Sequence, residues 1–255
     1  MDFERRFGGV SRLYGDAALE IFRGAHVAVI GIGGVGSWAA EALARNAIGH
    51  ITLIDLDHIA ESNVNRQLHA LDGEFGKAKV TAMAERIKVI NPLCVVDQIE
   101  DFVTPENVAA LLGRGQHIVL DAIDDTKAKI AMAAWCRANK QPLVMTGGAG
   151  GRLDPTRIAA ADLATTNGDR LLAKVRNQLR RDHGFPKNEK GKFGIPCIFS
   201  DEPPHRPKSG HCEVGDTAIT GLNCAGYGSS VCVTAPFGMA AAALVLNLLQ
   251  KHRSA

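Results

Sequence analysis

The stretch 26–67 constrains this chain more than any other. It reads HVAVIGIGGVGSW, then an amphipathic run, then HITLIDLDHIAESNVNRQ. The β-branched run His26–Ile30 passes directly into Gly31, Gly33, Gly34 and Gly36. An apolar period over 35–46 predicts a helix, and 51–54 predicts a second strand ending in Asp55. Strand, glycine turn, helix, strand and acid in that order make the first unit of a nucleotide-binding parallel sheet. Glycines let backbone N–H groups approach phosphate oxygens, and the start of the next helix adds unpaired N–H groups and partial positive charge. Asp55 falls nineteen residues beyond Gly36, where a carboxylate can accept both hydroxyls of a ribose.

The same alternation continues. An arginine-rich start (Arg5, Arg6, Arg12) precedes a predicted helix over 16–22. Val80, Met83, Ala84, Ile87 and Ile90 give 77–90 a helical period, closed by Pro92. A strand follows at Val95–Ile99, then a helix over 105–112 with Thr104 as N-cap and Pro105 at its first position. Residues 117–120 predict a buried strand ending in Asp121, 127–138 a helix, and 143–145 a strand running into Gly147, Gly148, Gly150 and Gly151. The fold class is therefore α/β, a Rossmann-like, mainly parallel sheet flanked by helices. One domain over 1–255 is expected, with 1–150 as its nucleotide-binding half and 151–255 as its substrate-side half. In that second half, 162–194 reads as polar and irregular, and 184–215, rich in Pro, Gly, Lys and Ser, as a long mobile loop over the active-site edge. Residues 217–250 carry no charge, and 237–249 predict a C-terminal helix.

Composition sets few limits. Hydrophobic residues at 46% and charged residues at 22% are ordinary, and a net charge of +2 gives no global sign of a polyanion partner. The first residues lack the apolar core of a secretory signal, which points to a cytoplasmic protein. Cys94, Cys136, Cys197, Cys212, Cys224 and Cys232 form no C-x-x-C, so reduced thiols are expected. The run 231–249 is long enough to span a membrane. Pro236, Gly238, Asn247 and consecutive alanines fit a buried helix better, with membrane association the minor alternative.

A dinucleotide site leaves Ser62-Asn63-Val64-Asn65-Arg66-Gln67, Lys79 and Asp121-Ala122-Ile123-Asp124 unexplained. Arg66 offers a planar fork and Lys79 a point charge just beyond the second strand, where a nucleotide's phosphates extend. Asp124 lies past a strand end on the carboxyl edge, a place suited to Mg²⁺ shared with phosphate oxygens. Two cations, a metal-binding acid and a ribose acid describe a triphosphate site, not a hydride-transfer site.

These residues resemble the ThiF/MoeB branch of the ubiquitin-activating-enzyme superfamily: GIGGVG, Asp55-x-Asp57, S-N-x-N-R-Q at 62–67, Lys79 and D-A-I-D at 121–124. The resemblance implies adenylation of a carboxylate with ATP. Gly31, Gly33, Gly34, Gly36, Asp55, Asp57, Asn63, Asn65, Arg66, Gln67, Lys79, Asp121 and Asp124 would form the ATP site, with Asp124 on Mg²⁺. Arg6, in an Arg-Phe context, resembles the arginine that reaches the partner subunit's ATP in the family homodimer, with Arg5 and Arg12 as competitors. Relatives that activate sulfur-carrier proteins hold zinc with two C-x-x-C pairs, which this chain lacks. GRLDPTRIAAADLATTNGD and FGIPCIFSDE resemble instead the tRNA threonylcarbamoyladenosine dehydratase (TcdA/CsdL) family. That likeness implies a tRNA substrate, no DNA partner, ATP and Mg²⁺, a monovalent cation (K⁺ or Na⁺) as a further candidate, and a sulfur-relay (cysteine desulfurase) protein as a candidate partner.

Over 170–192, Arg170, Lys174, Arg176, Arg180, Arg181, Lys187, Lys190 and Lys192 stand against Asp182 and Glu189. Such a patch suits a phosphate backbone, or is simply a solvated helix face. Cys197 is expected to be apolar filler rather than a reactive thiol, and His205, His211 and Cys212 lack regular metal spacing. Two rivals remain: an enzyme that adenylates the C-terminal glycine of a ubiquitin-like carrier, and a non-catalytic NAD-binding or scaffold protein.

Overall fold

The protein is described by a computed structural model covering residues 2–188, 191–205 and 227–252. Helices α1 (Phe3–Tyr14) and α2 (Asp16–Arg23) lead into β1 (His26–Ile30), α3 (Gly36–Arg45) and β2 (His50–Ile54). Then come α4 (Lys79–Ile90), β3 (Val95–Ile99), α5 (Val108–Leu112), β4 (Ile118–Asp121), α6 (Thr126–Ala138) and β5 (Leu143–Thr146). The second half supplies β6 (Ile158–Asp162), α7 (Arg170–Asp182), β7 (Pro196–Ser200) and α8 (Val231–His252).

One seven-stranded sheet joins both halves, in the order β3-β2-β1-β4-β5-β7-β6. All neighbours are parallel except β6 and β7. Alternate strand residues feed two cores. Val27, Val29, Leu53, Leu120, Val144 and Ile198 pack on one side against α3, α4 and α8. Ala28, Ile30, Val119, Met145, Cys197 and Phe199 pack on the other against α5, α6 and α7. The chain winds from β1 outward to β3, then restarts at β4 on the other side of β1. The carboxyl ends of β1 and β4 therefore flank the crevice where open sheets bind ligands.

Several expectations need correction. The arginine-rich start folds as α1, whose N-cap Asp2 accepts Arg5 N–H at 3.0 Å. Helix α5 begins at Val108, not 105, but Thr104 still caps the turn that leads into it: its Oγ1 accepts Asn107 N–H at 3.4 Å, and Asn107 Oδ1 accepts Thr104 N–H at 2.7 Å. The region 162–194 is not irregular. Leu171, Leu172, Val175 and Leu179 form one buried stripe of α7, and Asp169 caps it through Leu172 N–H at 2.9 Å. Each such burial contributes roughly 1.5–3 kcal/mol, enough to fix a helix whose other face is basic. The expected mobile loop contains β7, an inner strand between β5 and β6; residues 189–190 and 206–215 of it lie outside the described residues.

Helix α8 is longer than expected and runs through Pro236. It is the one described helix long and apolar enough to cross a membrane. Its Val233, Phe237, Ala241, Val245 and Leu249 are buried in the core beside α3. A Cβ at Gly238 would overlap the Val35 carbonyl, so the two helices touch backbone to backbone.

Candidate active site

The glycine turn is fixed from both sides at Ile32. Asp55 Oδ2 accepts the Ile32 N–H at 2.6 Å, and His69 Nε2 donates to the Ile32 carbonyl at 2.8 Å. Gly31, at φ 84, adopts a left-handed conformation that a side chain would strain. A Cβ at Gly36 would overlap the Gly31 carbonyl, so α3 starts directly on the turn, with its N-terminus at the crevice. Asp55 Oδ1 accepts Asp57 N–H at 2.9 Å. Burial raises the Asp55 carboxyl above its ordinary range, against the opposing charge of Lys79. Each carboxylate oxygen keeps acceptor capacity for a ribose hydroxyl.

Arg66 and Gln67 form the facing wall. A Cβ on Gly34 would press on Arg66 Cγ at 3.1 Å, and one on Gly33 would meet Gln67 Nε2 at 3.9 Å. The Arg66 turn is held by Trp38, whose indole N–H donates to the Arg66 carbonyl at 3.0 Å. Arg66 Nη1 donates to the Ser62 carbonyl at 2.9 Å and to Asn65 Oδ1 at 3.0 Å. Burial depresses the Arg66 guanidinium, and the charge of Asp124 opposes that. Gln67 Oε1 is buried with no hydrogen-bond partner. Lys79 Nζ is nearly buried and donates to the half-exposed Asp57 at 2.7 Å.

Three expected site residues already have partners within the chain. Asn63 Oδ1 accepts Ala60 N–H at 3.1 Å and caps its own turn. Asp121 is wholly buried, paired with Lys129 at 2.9 Å, and its Oδ1 also accepts Ile123 N–H at 3.2 Å. It thereby sets the turn that carries Asp124. Arg6 is exposed and donates from Nη1 to the carbonyls of Val89 and Ile90, at 3.0 and 2.7 Å. Those carbonyls end α4 just before β3 begins, at the sheet's amino edge, so this chain's Arg6 is not in its own crevice.

The second half completes the carboxyl edge. Gly151 N–H donates to the Gly228 carbonyl at 2.7 Å, and Asn65 Nδ2 donates to the next carbonyl, of Ser229, at 2.8 Å. The turn after β5 and the Arg66 turn thus hang on consecutive residues. Cys197 is fully buried, its thiol pushed well up by burial, so it is filler as expected. His205 pairs with Glu202 at 3.1 Å; His211, Cys212 and Cys224 lie outside the described residues. The basic patch divides. Arg176 donates to the Thr166 carbonyl at 2.6 Å and Arg180 to the Pro186 carbonyl at 3.1 Å, so both serve the fold. Arg170, Lys174, Arg181, Lys187 and Lys192 are exposed, and Lys190 and Glu189 lie outside the described residues.

His69, Lys129 and Arg152 were missed in the sequence. For Lys129 the available sign was a lysine flanked by Ala128 and Ile130 on an apolar helix.

A glycine-turn crevice with two fixed cations and a carboxylate at the next strand end defines a nucleotide-binding α/β protein of the adenylating type. The chain belongs to the ThiF family, whose model matches residues 8–255, and within it to the tRNA threonylcarbamoyladenosine dehydratases. It is 52% identical over 250 residues to the tRNA threonylcarbamoyladenosine dehydratase of Escherichia coli, covering 96% of this chain and 93% of that one. The Haemophilus influenzae enzyme of the same name is 49% identical over 254 residues, covering 99% and 96%. The crystal structure of the E. coli dehydratase in complex with ATP matches with a TM-score of 0.90 at 49% identity, across 100% of this chain and 98% of that one. The expected ThiF/MoeB-type fold is the observed one.

Proposed function

We propose that the chain catalyses ATP-dependent dehydration, by cyclisation, of N6-threonylcarbamoyladenosine beside the tRNA anticodon. The observation that carries this reading is the near-full-length likeness to tRNA threonylcarbamoyladenosine dehydratases, through both halves of the sheet. A threonyl carboxylate oxygen attacks the α-phosphorus of ATP and pyrophosphate leaves. A carbamoyl heteroatom then attacks the acyl carbon, and AMP leaves with the former carboxyl oxygen. The base has lost the elements of one water.

The protein's work is positioning and charge neutralisation. The glycine turn and the start of α3 present N–H groups to phosphate, and Asp55 takes the ribose. Gln67 Oε1, buried and unpartnered, is the acceptor a bound nucleotide would satisfy. Arg66 and Lys79 face the phosphates, Lys79 exchanging part of its bond to Asp57. Asp124 is the residue that would hold Mg²⁺, which would offset charge on the leaving pyrophosphate. Assays in K⁺ and in Na⁺ test the further cation.

We read the chain as one domain, with 1–150 binding ATP and 151–255 facing the substrate, and as a homodimer in which Arg6 faces the partner's nucleotide. The exposed cations of α7 and its following loop face the tRNA. A cytoplasmic location fits that substrate. A sulfur-relay protein would be a docking partner, since no step uses a thiol. Carrier-protein adenylation is disfavoured by the second-half likeness and the missing C-x-x-C pairs.

The test is AMP release from ATP and Mg²⁺ with tRNA carrying threonylcarbamoyladenosine, beside tRNA lacking it. AMP formed only with the modified tRNA, together with loss of one water from the base, is expected. AMP release that ignores the modification would overturn the reading.

A further inference from the structure

The loop that leaves β5 contains a buried arginine the reaction above does not use. Arg152 is 4% exposed. Its Nη2 lies 3.8 Å from Asp169 Oδ2, while Nε and Nη1 are buried with no hydrogen-bond partner. A guanidinium stays charged even when burial opposes it. Two unused donors on a buried cation cost stability unless an acceptor meets them.

The neighbouring acids are already committed. Asp169 Oδ1 caps α7 at Leu172 N–H, 2.9 Å, and its Oδ2 accepts Gly148 N–H at 2.8 Å. Glu202 accepts Leu153 N–H and Asp154 N–H, both at 3.1 Å, besides His205. Asp201 pairs with Arg157 at 2.8 Å. Asp169, Glu202 and Asp201 still act on Arg152 through space and sustain its charge.

Position gives the acceptor its identity. Turns at the carboxyl edge follow the strand order, so the glycine turn after β1, the Asp124 turn after β4 and the Arg152 loop after β5 lie side by side. Gly151 and Asn65, the residues preceding Arg152 and Arg66, bond to consecutive carbonyls. An anion held by Arg152 would therefore lie on the carboxyl edge that carries the nucleotide crevice. The packing around Gly151 comes from Pro204, His205 and Tyr227, loop residues that can give way more readily than core strands.

We infer that Arg152 recognises the threonyl carboxylate of the modified adenosine, its Nε and Nη1 forming the two-pronged contact that carboxylates fit. The inference rests on the dehydratase reading and adds to it a residue that selects the substrate.

The probes are an anticodon stem-loop carrying threonylcarbamoyladenosine and the same stem-loop with the carboxylate replaced by a carboxamide. Affinity for each is measured with an ATP analogue methylene-bridged between the α and β phosphorus atoms. The wild type is expected to prefer the carboxylate roughly 10- to 100-fold, as a charge-assisted paired contact implies. Arg152→Gln is expected to bring that ratio near one while binding the ATP analogue as the wild type does. Arg152→Lys keeps a cation beside Asp169 but loses the fork, and is expected to fall between; it carries the test if the glutamine variant does not fold. A wild-type ratio in either variant would leave Arg152 a scaffold cation and overturn the inference. A wild type that releases no AMP with the modified tRNA fails earlier, at the dehydratase reading itself.

Discussion

Lys129 Nζ and Asp121 Oδ1 lie 2.9 Å apart, and neither side chain reaches solvent. The lysine also donates to the Thr146 carbonyl at 2.8 Å, so one ammonium ties the carboxyl ends of β4 and β5. Removing one partner of a buried pair strands the other charge, at a cost of about 3–5 kcal/mol. Lys129→Met is therefore expected to lower Tm by roughly 10 °C, at about 2–4 °C per kcal/mol for a chain of this size. Adding Asp121→Asn should restore part of the loss, because no bare carboxylate then remains. Thermal unfolding of the wild type and the two variants decides it, and an unchanged Tm for Lys129→Met would remove the pair from the fold's support.

Asp124 and Arg66 call for the opposite outcome. They stand at the crevice rather than in the core, and the Asp124 charge acts on Arg66. Asp124→Ala and Arg66→Ala are each expected to cut AMP formation by about 10²–10³-fold, the usual loss when one charge-stabilising group is removed. Their Tm should stay within about 3 °C of wild type. Activity is read by AMP release with modified tRNA. Full activity in Asp124→Ala would withdraw the Mg²⁺ assignment.

What was legible in the sequence was local. Gly31, Gly36 and Asp55 declare themselves through spacing within one strand–helix–strand unit, and Asp124 through its place after a buried strand. The contacts that fix these residues are not local. His69 bonds Ile32 from 37 positions away, and Trp38 bonds Arg66 from 28 away. Arg152 meets Asp169 from 17 positions away, after the chain has passed through β6 and come back to the carboxyl edge. Helix α7 was hidden for a different reason: its basic face dominates the composition, although Leu171, Leu172, Val175 and Leu179 keep a helical period. Strand β7 was hidden by the prolines and glycines on either side of it.

The glycine turn makes folding sensitive to acid. Burial lowers the His69 imidazole from 6.5 to about 4, the bond to Ile32 and the charge of Glu74 opposing and that of Lys79 assisting. Between those values the unfolded chain binds a proton that the folded chain refuses. Stability from this group is thus fully present above pH 6.5 and lost as pH falls toward 4. At pH 5 the loss is roughly 2 kcal/mol. His69→Gln, whose amide nitrogen reaches the place of Nε2, can still donate to the Ile32 carbonyl and has no such titration. Its stability difference between pH 7.5 and pH 5, from urea unfolding, should be about 2 kcal/mol smaller than the wild type's. His26, also lowered to about 4, titrates in both proteins and cancels. An identical pH dependence would assign the acid sensitivity elsewhere.

The basic patch separates into two kinds of cation, and each predicts its own result. Arg176 and Arg180 are half-buried and bonded to the carbonyls of Thr166 and Pro186. Replacing them with Ala is expected to lower Tm, with no selective effect on the salt dependence of RNA binding. Arg170, Lys174 and Lys187 are exposed, and Arg181, also exposed, pairs with Asp182 at 2.9 Å. Replacing these four with Ala should leave Tm nearly unchanged and weaken tRNA binding. The plot of log affinity against log salt should flatten by about 0.7–0.9 for each phosphate that is no longer neutralised. Binding of modified and unmodified tRNA should weaken alike, since backbone contacts carry no base information. Filter binding across a salt series measures both slopes. If the four-residue variant kept the wild-type slope, α7 would be a solvated face and the tRNA would dock elsewhere on the carboxyl edge.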